Sequence, residues 1–134
     1  MTAEQKLKWM ILVLHTKWNK TTLPEVTADN IDDLYDATDG DGYELQDARN
    51  EVRCSGAETG LRSPISRNYE SDAVAAQAPD GTWVGWTYWY GGGKHSEPEA
   101  IDWIDEAYDV TVTEEPKTII HRTFTKVEVT NEAV

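Results

Sequence analysis

Asp72-Ala73-Val74-Ala75-Ala76-Gln77-Ala78-Pro79-Asp80-Gly81-Thr82-Trp83-Val84-Gly85-Trp86-Thr87-Tyr88-Trp89-Tyr90 reads as two strands around a turn. Pro79-Asp80-Gly81 supplies a fixed φ, a side-chain acceptor and a residue at ease with positive φ, which a tight reversal needs. The flanks, 72–78 and 82–90, are therefore expected to pair as a hairpin. Alternation along the second strand puts Val84, Trp86, Tyr88 and Tyr90 on one face. Trp83, Thr87 and Trp89 share the other face with Gly85. The first set reads as core. The second is aromatic too, so this strand is either covered on both sides or displays an adhesive surface. Covering by a helix, 3–18 or 97–108, is the expectation, since soluble chains seldom expose large apolar patches.

Upstream of the hairpin the period changes to that of a helix. Over 3–18, Leu7, Ile11, Leu14 and Trp18 recur at helical spacing with Met10 beside them, while Lys6, Lys8 and Lys17 are expected in solvent. Thr27 is a candidate N-cap for a helix near 28–37, with Ile31, Leu34 and Tyr35 on its apolar side. Asp39-Gly40-Asp41-Gly42 breaks it. Asp41 and Glu44 have capping-box spacing for a third helix at 43–53, where Leu45, Ala48 and Val52 point one way and Gly56 offers a stop. Downstream, Ser96 and Glu99 with Pro98 in the first turn predict a helix over 97–108. Glu114-Glu115-Pro116 between 108–113 and 117–129 predicts a second hairpin. Helices first and hairpins second give an α+β fold, a helical N-terminal half packed on an antiparallel sheet, within a single domain spanning 1–134.

The 134 residues carry a formal charge of −13. Seventeen of the 25 acidic residues lie in two stretches without Lys or Arg, Glu25 to Asp47 and Glu97 to Glu115. Such a field repels nucleic acid and anionic lipid and attracts basic protein surfaces. Six Trp and six Tyr argue for a packed core rather than disorder. The single Cys54 cannot form an internal disulfide and fits a reducing compartment. The apolar run Trp9–Leu14 is too short to span a bilayer, and no small-residue cleavage pattern follows it, so a cytoplasmic location is expected.

The familiar reaction and ligand signatures fall short. Gly91-Gly92-Gly93-Lys94-His95-Ser96 resembles a phosphate loop, but Tyr88 stands where its first Gly belongs and His95 where Ser or Thr must follow the Lys. In EF-hand register Asp39 and Asp41 fall on ligand positions, yet the first and twelfth positions are Ala37 and Ala48. His15, His95, His121 and Cys54 lack metal-ligand spacing. No catalytic residue, cofactor or metal is expected, and the chain reads as a non-enzyme.

The acid itself is the remaining signal. Asp29, Asp32, Asp33 and Asp36 on one helix, and Glu99, Asp102, Glu106 and Asp109 along the other, would form rows of carboxylates about 5 Å apart. Like charges at that spacing cost a few tenths of a kcal/mol per pair. Two such rows can imitate a phosphate backbone. The expectation is a protein that binds a basic surface of another protein, with Trp83 or Trp89 as anchor if exposed. It does not bind nucleic acid directly, nor a membrane. Two alternatives stand beside it. One is a small-molecule or glycan-binding module using Trp83, Trp89, Lys94 and His95; the other is a structural or assembly protein with a solvated acidic surface.

Gly81-Thr82-Trp83-Val84-Gly85-Trp86-Thr87-Tyr88-Trp89-Tyr90-Gly91-Gly92-Gly93-Lys94-His95-Ser96-Glu97-Pro98-Glu99, continuing to Trp103 and through Thr123-Phe124-Thr125-Lys126, resembles the C-terminal part of small uncharacterised accessory proteins of tailed phages and prophages. The resemblance covers about half of the chain and transfers no functional residue. It implies a non-virion protein acting in the cytoplasm of a bacterial host. By analogy with other small acidic phage proteins, it points to a nucleic-acid mimic that inhibits a host defence nuclease.

Overall fold

The computed structural model describes residues 1–128. Three helices, α1 (Ala3–Asn19), α2 (Ile31–Asp39) and α3 (Gln46–Cys54), precede an antiparallel sheet of β1 (Ala57–Glu58), β2 (Glu70–Gln77), β3 (Trp83–Tyr90) and β4 (Tyr108–Val110). The strands lie in sequence order, each hydrogen-bonded to the next. The fold is α+β, with the helices on one face of the sheet.

The central hairpin forms as its turn residues require. Ala78 N–H donates to Thr82 O at 2.7 Å and Gly81 takes φ +88°. Asp80 Oδ1 accepts from the amide and hydroxyl of Thr82 at 2.9 and 2.6 Å. Eight register pairs follow, from Gln77 opposite Trp83 to Glu70 opposite Tyr90.

α1 begins with a capping box that escaped the sequence reading. Thr2 Oγ1 accepts from Gln5 N–H and Gln5 Oε1 accepts from Thr2 N–H, which satisfies two of the orphan donors at the helix start. Its buried stripe is Ala3, Leu7, Ile11 and Leu12, with Leu14 half-buried and Trp18 exposed. The expectation that Lys6 faces solvent is also corrected. Its stem is buried and its ammonium reaches Asp109 at 2.7 Å.

α2 buries Ile31 and Tyr35, and α3 buries Ala48 and Val52. Neither has a side-chain N-cap bond. Thr27 instead exchanges hydrogen bonds with Asn30, closing the turn before α2. Between the helices, Asp39 Oδ1 accepts from Leu45 N–H at 3.1 Å and Oδ2 from Arg49 at 2.8 Å. Arg49 also donates to Tyr35 Oη and Gly42 O. The acidic run is thus a turn tied down by a guanidinium, not an ion loop.

Trp86 is the pivot of the core. Fully buried, it packs with Val74 and Val84 against Leu7, Ile11 and Leu12 of α1. Its Nε1–H donates to Arg53 O at 3.1 Å, and its ring centroid lies 5.6 Å from that of Trp103. Gly56 lets α3 turn closely onto this centre, since a Cβ there would lie 2.7 Å from Val74 Cβ and 2.9 Å from the Trp86 ring.

Two expected elements are absent among the described residues. Residues 97–108 form only single 3₁₀ turns at Pro98–Ala100 and Ile104–Glu106. Trp103 is buried against Trp86 between the two turns, and the unrelieved row of acids offers nothing to hold a helix there. Ser96, expected as a cap, donates instead to Gly91 O and Gly93 O. The second hairpin also fails. β4 stops at Val110, and 111–128 take no strand pairing. Glu114-Glu115-Pro116 has no residue suited to positive φ, and Pro116 lacks a donor. The last residue of that expected strand, Val129, lies outside the described residues.

Candidate partner-binding surface

The outer face of the sheet settles the fate of the two tryptophans. Register places Ala57, Ala75, Gly85 and Tyr108 in one line. These small residues leave room for larger neighbours to close over them. A Cβ on Gly85 would lie 2.6 Å from Tyr108 Cε2 and 2.8 Å from Val110 Cγ2, so Tyr108 and Val110, rather than a helix, cover this point. Trp89 is 7% exposed and donates Nε1–H to both oxygens of Glu106 at 3.1 and 3.2 Å. It is packing and offers no stacking surface. Trp83 is half-buried in a shallow groove of about 370 Å³ that Leu61, Ala75, Val110 and Val112 also line. Lys94 and His95 are exposed in the loop after the glycines.

The expected acidic rows divide in two. Asp29, Asp33 and Asp36 are exposed, while Asp32 is bonded to Lys8 at 2.9 Å and Gln5 at 3.1 Å. The Lys8 bond, then the Gln5 bond, hold the Asp32 carboxyl below its ordinary range. The second row is not a row. Glu106 serves Trp89 and Asp109 serves Lys6, so both are structural, with Asp109 Oδ1 neutralising an ammonium whose stem is buried. Neutralising Asp109 therefore removes an internal partner, contrary to the expectation for a solvated helix face.

Glu99 and Asp102 do come together, with Asp47 of α3, around a cleft of about 410 Å³ between α3 and residues 99–104. Ile101, Trp103 and Ile104 line it, as do Arg49 and Arg53. Both guanidiniums have internal bonds. Arg49 holds Asp39, Tyr35 and Gly42. Arg53, 5% exposed, donates to Trp89 O and lies over the Tyr88 ring at 4.8 Å. Asp102 sits hydrogen-bonded to Asp105, and that bond, followed by burial and the like charge, pushes its carboxyl above the ordinary range. Asp102 and Asp105, with Asp47 and Glu99 near them, gather like charge at this side of the cleft.

Sequence reasoning missed Asp47, Asp105 and Arg53. Asp47 and Asp105 lay within the acidic stretches but off the helical rows sought there. Arg53, at the end of α3, carried no sign of burial. Among the described residues no three His, Cys, Asp or Glu side chains converge as a metal set, and no helix is long and apolar enough to cross a membrane. No family model, curated protein or solved structure matches the chain.

Proposed function

We propose that the protein binds a basic surface of another protein through its uncompensated carboxylates, as a non-enzymatic accessory protein acting in a bacterial host. One observation carries this reading. Among the described residues, only Asp32, Asp39, Glu44 and Asp109 lie within ion-pair distance of a cationic side chain, and Glu44 only of His15. Folding leaves most of the acid unneutralised, which maintains a field that steers and holds a cationic partner. The cleft bordered by Asp47, Glu99 and Asp102 offers one acidic group beside the apolar Ile101 and Trp103, a setting for a Lys or Arg side chain. Asp29, Asp33 and Asp36 supply a second exposed group. In its sharper form the protein occupies a nucleic-acid site, such as that of a defence nuclease, in place of the phosphates.

The test is capture from bacterial lysate by the tagged protein and by two charge-neutralised variants. One carries Asp47→Asn, Glu99→Gln and Asp102→Asn; the other Asp29→Asn, Asp33→Asn and Asp36→Asn. A basic partner is expected to be retained by the unmodified protein, lost as salt rises and lost from at least one variant. Competition by duplex DNA at matched salt separates phosphate mimicry from a general charged interface. A partner retained by both variants sinks the proposal.

A further inference from the structure

Residues 111–128 follow β4 and form neither helix nor strand. Within them Ile119, Ile120, Phe124 and Val127 are 74%, 76%, 88% and 82% exposed. Four large apolar side chains in nine residues are far more than scattered surface hydrophobics. The segment Thr118-Ile119-Ile120-His121-Arg122-Thr123-Phe124-Thr125-Lys126-Val127 is rich in β-branched residues, a composition that suits a strand with neighbours on both faces.

The sheet offers the complement. β4 is its last strand, so the outer edge has backbone donors and acceptors without partners in the sheet. The groove holding Trp83, Val110 and Val112 lies on the sheet face next to the end of β4. Charge points the same way. Residues 117–128 hold Lys117, Arg122 and Lys126 against Glu128 alone, whereas the 116 residues before them hold nine Lys or Arg against 23 Asp or Glu. A basic, apolar arm on an acidic body is attracted to another body of the same kind. Return onto its own β4 would have to be made through 111–116, where Glu114-Glu115-Pro116 supplies none of the Gly or Asn that favour short hairpin turns.

We propose that 117–128 is an intermolecular strand: in a pair of copies, each arm adds to the outer edge of the other's β4. Backbone pairing gives the affinity. Ile120 and Phe124, on one side of the strand, and Ile119 and Val127, on the other, lose water on docking. Exchange of arms closes the pair symmetrically, since each copy's β4 edge and arm are both used within the pair and recruit no third copy.

Sedimentation of the full chain across a concentration series tests this, together with hydrogen exchange read on the arm. A monomer–dimer equilibrium is expected, with amides in 118–127 protected only as the dimer forms. Phe124→Asp should raise the dissociation constant about tenfold or more, since burial of one such side chain is worth at least that factor. Phe124 is exposed, so the variant's body should keep its near-ultraviolet circular dichroism. A monomer at every concentration overturns the proposal. So does an arm protected regardless of dilution, or a Phe124→Asp dimer as tight as the original.

Discussion

Gly85 carries no side chain because two others need its space. It stands opposite Tyr108 in the register, and the Tyr108 ring with Val110 Cγ2 lies where its Cβ would be. β4 is only three residues long, so this contact is a large share of what seats it. Gly85→Ala is expected to lose about 1 to 3 kcal/mol in urea unfolding, as overpacked sites do. Full stability in the variant would show that the β4 contact is not close-packed. From the sequence, Gly85 shares a face with Trp83, Thr87 and Trp89, and a helix is expected to cover it. That Trp83, Gly85, Thr87 and Trp89 alternate with Val84, Trp86 and Tyr88 was legible from spacing alone. Covering by the chain's own Tyr108 and Val110 was not, because it depends on β4 arriving from elsewhere in the chain. Trp89 thereby becomes packing, and Glu106, once one of a row of surface acids, becomes its acceptor.

At the scale of elements, legibility followed locality. The central hairpin and α1 rest on turn chemistry and period within a few residues, and both formed where expected. Residues 97–108 had a period, a Pro and a cap pattern, yet the pull of Trp86 on Trp103 outweighed them. Two elements, α2 and residues 97–108, carry opposite pH dependences. On α2, Lys8 and Gln5 hold Asp32 below its ordinary value, so its contribution to stability is present above the unfolded pKa and lost as pH falls through the folded one. Asp102 is raised by Asp105, so its contribution is full below the unfolded pKa and lost as pH rises through the folded one. Asp32→Asn should therefore flatten the acid limb of a stability–pH curve. Asp102→Asn should remove the loss on the rising side and leave the protein slightly more stable at neutral pH. Both groups are largely exposed, so each effect should stay under about 1 kcal/mol. Urea unfolding at a series of pH values reads both, and a destabilised Asp102→Asn would mean that the pair with Asp105 is an asset rather than strain.

Across the whole molecule, charge acts twice and with opposite signs. Within one copy, −13 charges and few internal ion pairs make the folded state repel itself. Between copies, the basic arm and acidic body attract. Salt screens both, with a Debye length near 10 Å at about 0.1 M. Folding of the isolated copy should therefore gain from added salt while association loses. The measurement has to separate them. At a protein concentration low enough to keep the chain monomeric, the melting temperature is expected to rise by a few degrees from low to moderate ionic strength, with a weakly binding salt such as sodium chloride. At high concentration the rise should shrink, because the salt that relieves the body also loosens the arms. Opposition between the two curves would tie both effects to one distribution of charge: an acidic body kept soluble and available to a cationic partner, and a basic end that recognises the body. If the dilute protein melts at the same temperature at every ionic strength, its carboxylates are not a source of strain. Their surplus would then carry no energetic cost that binding a partner could relieve.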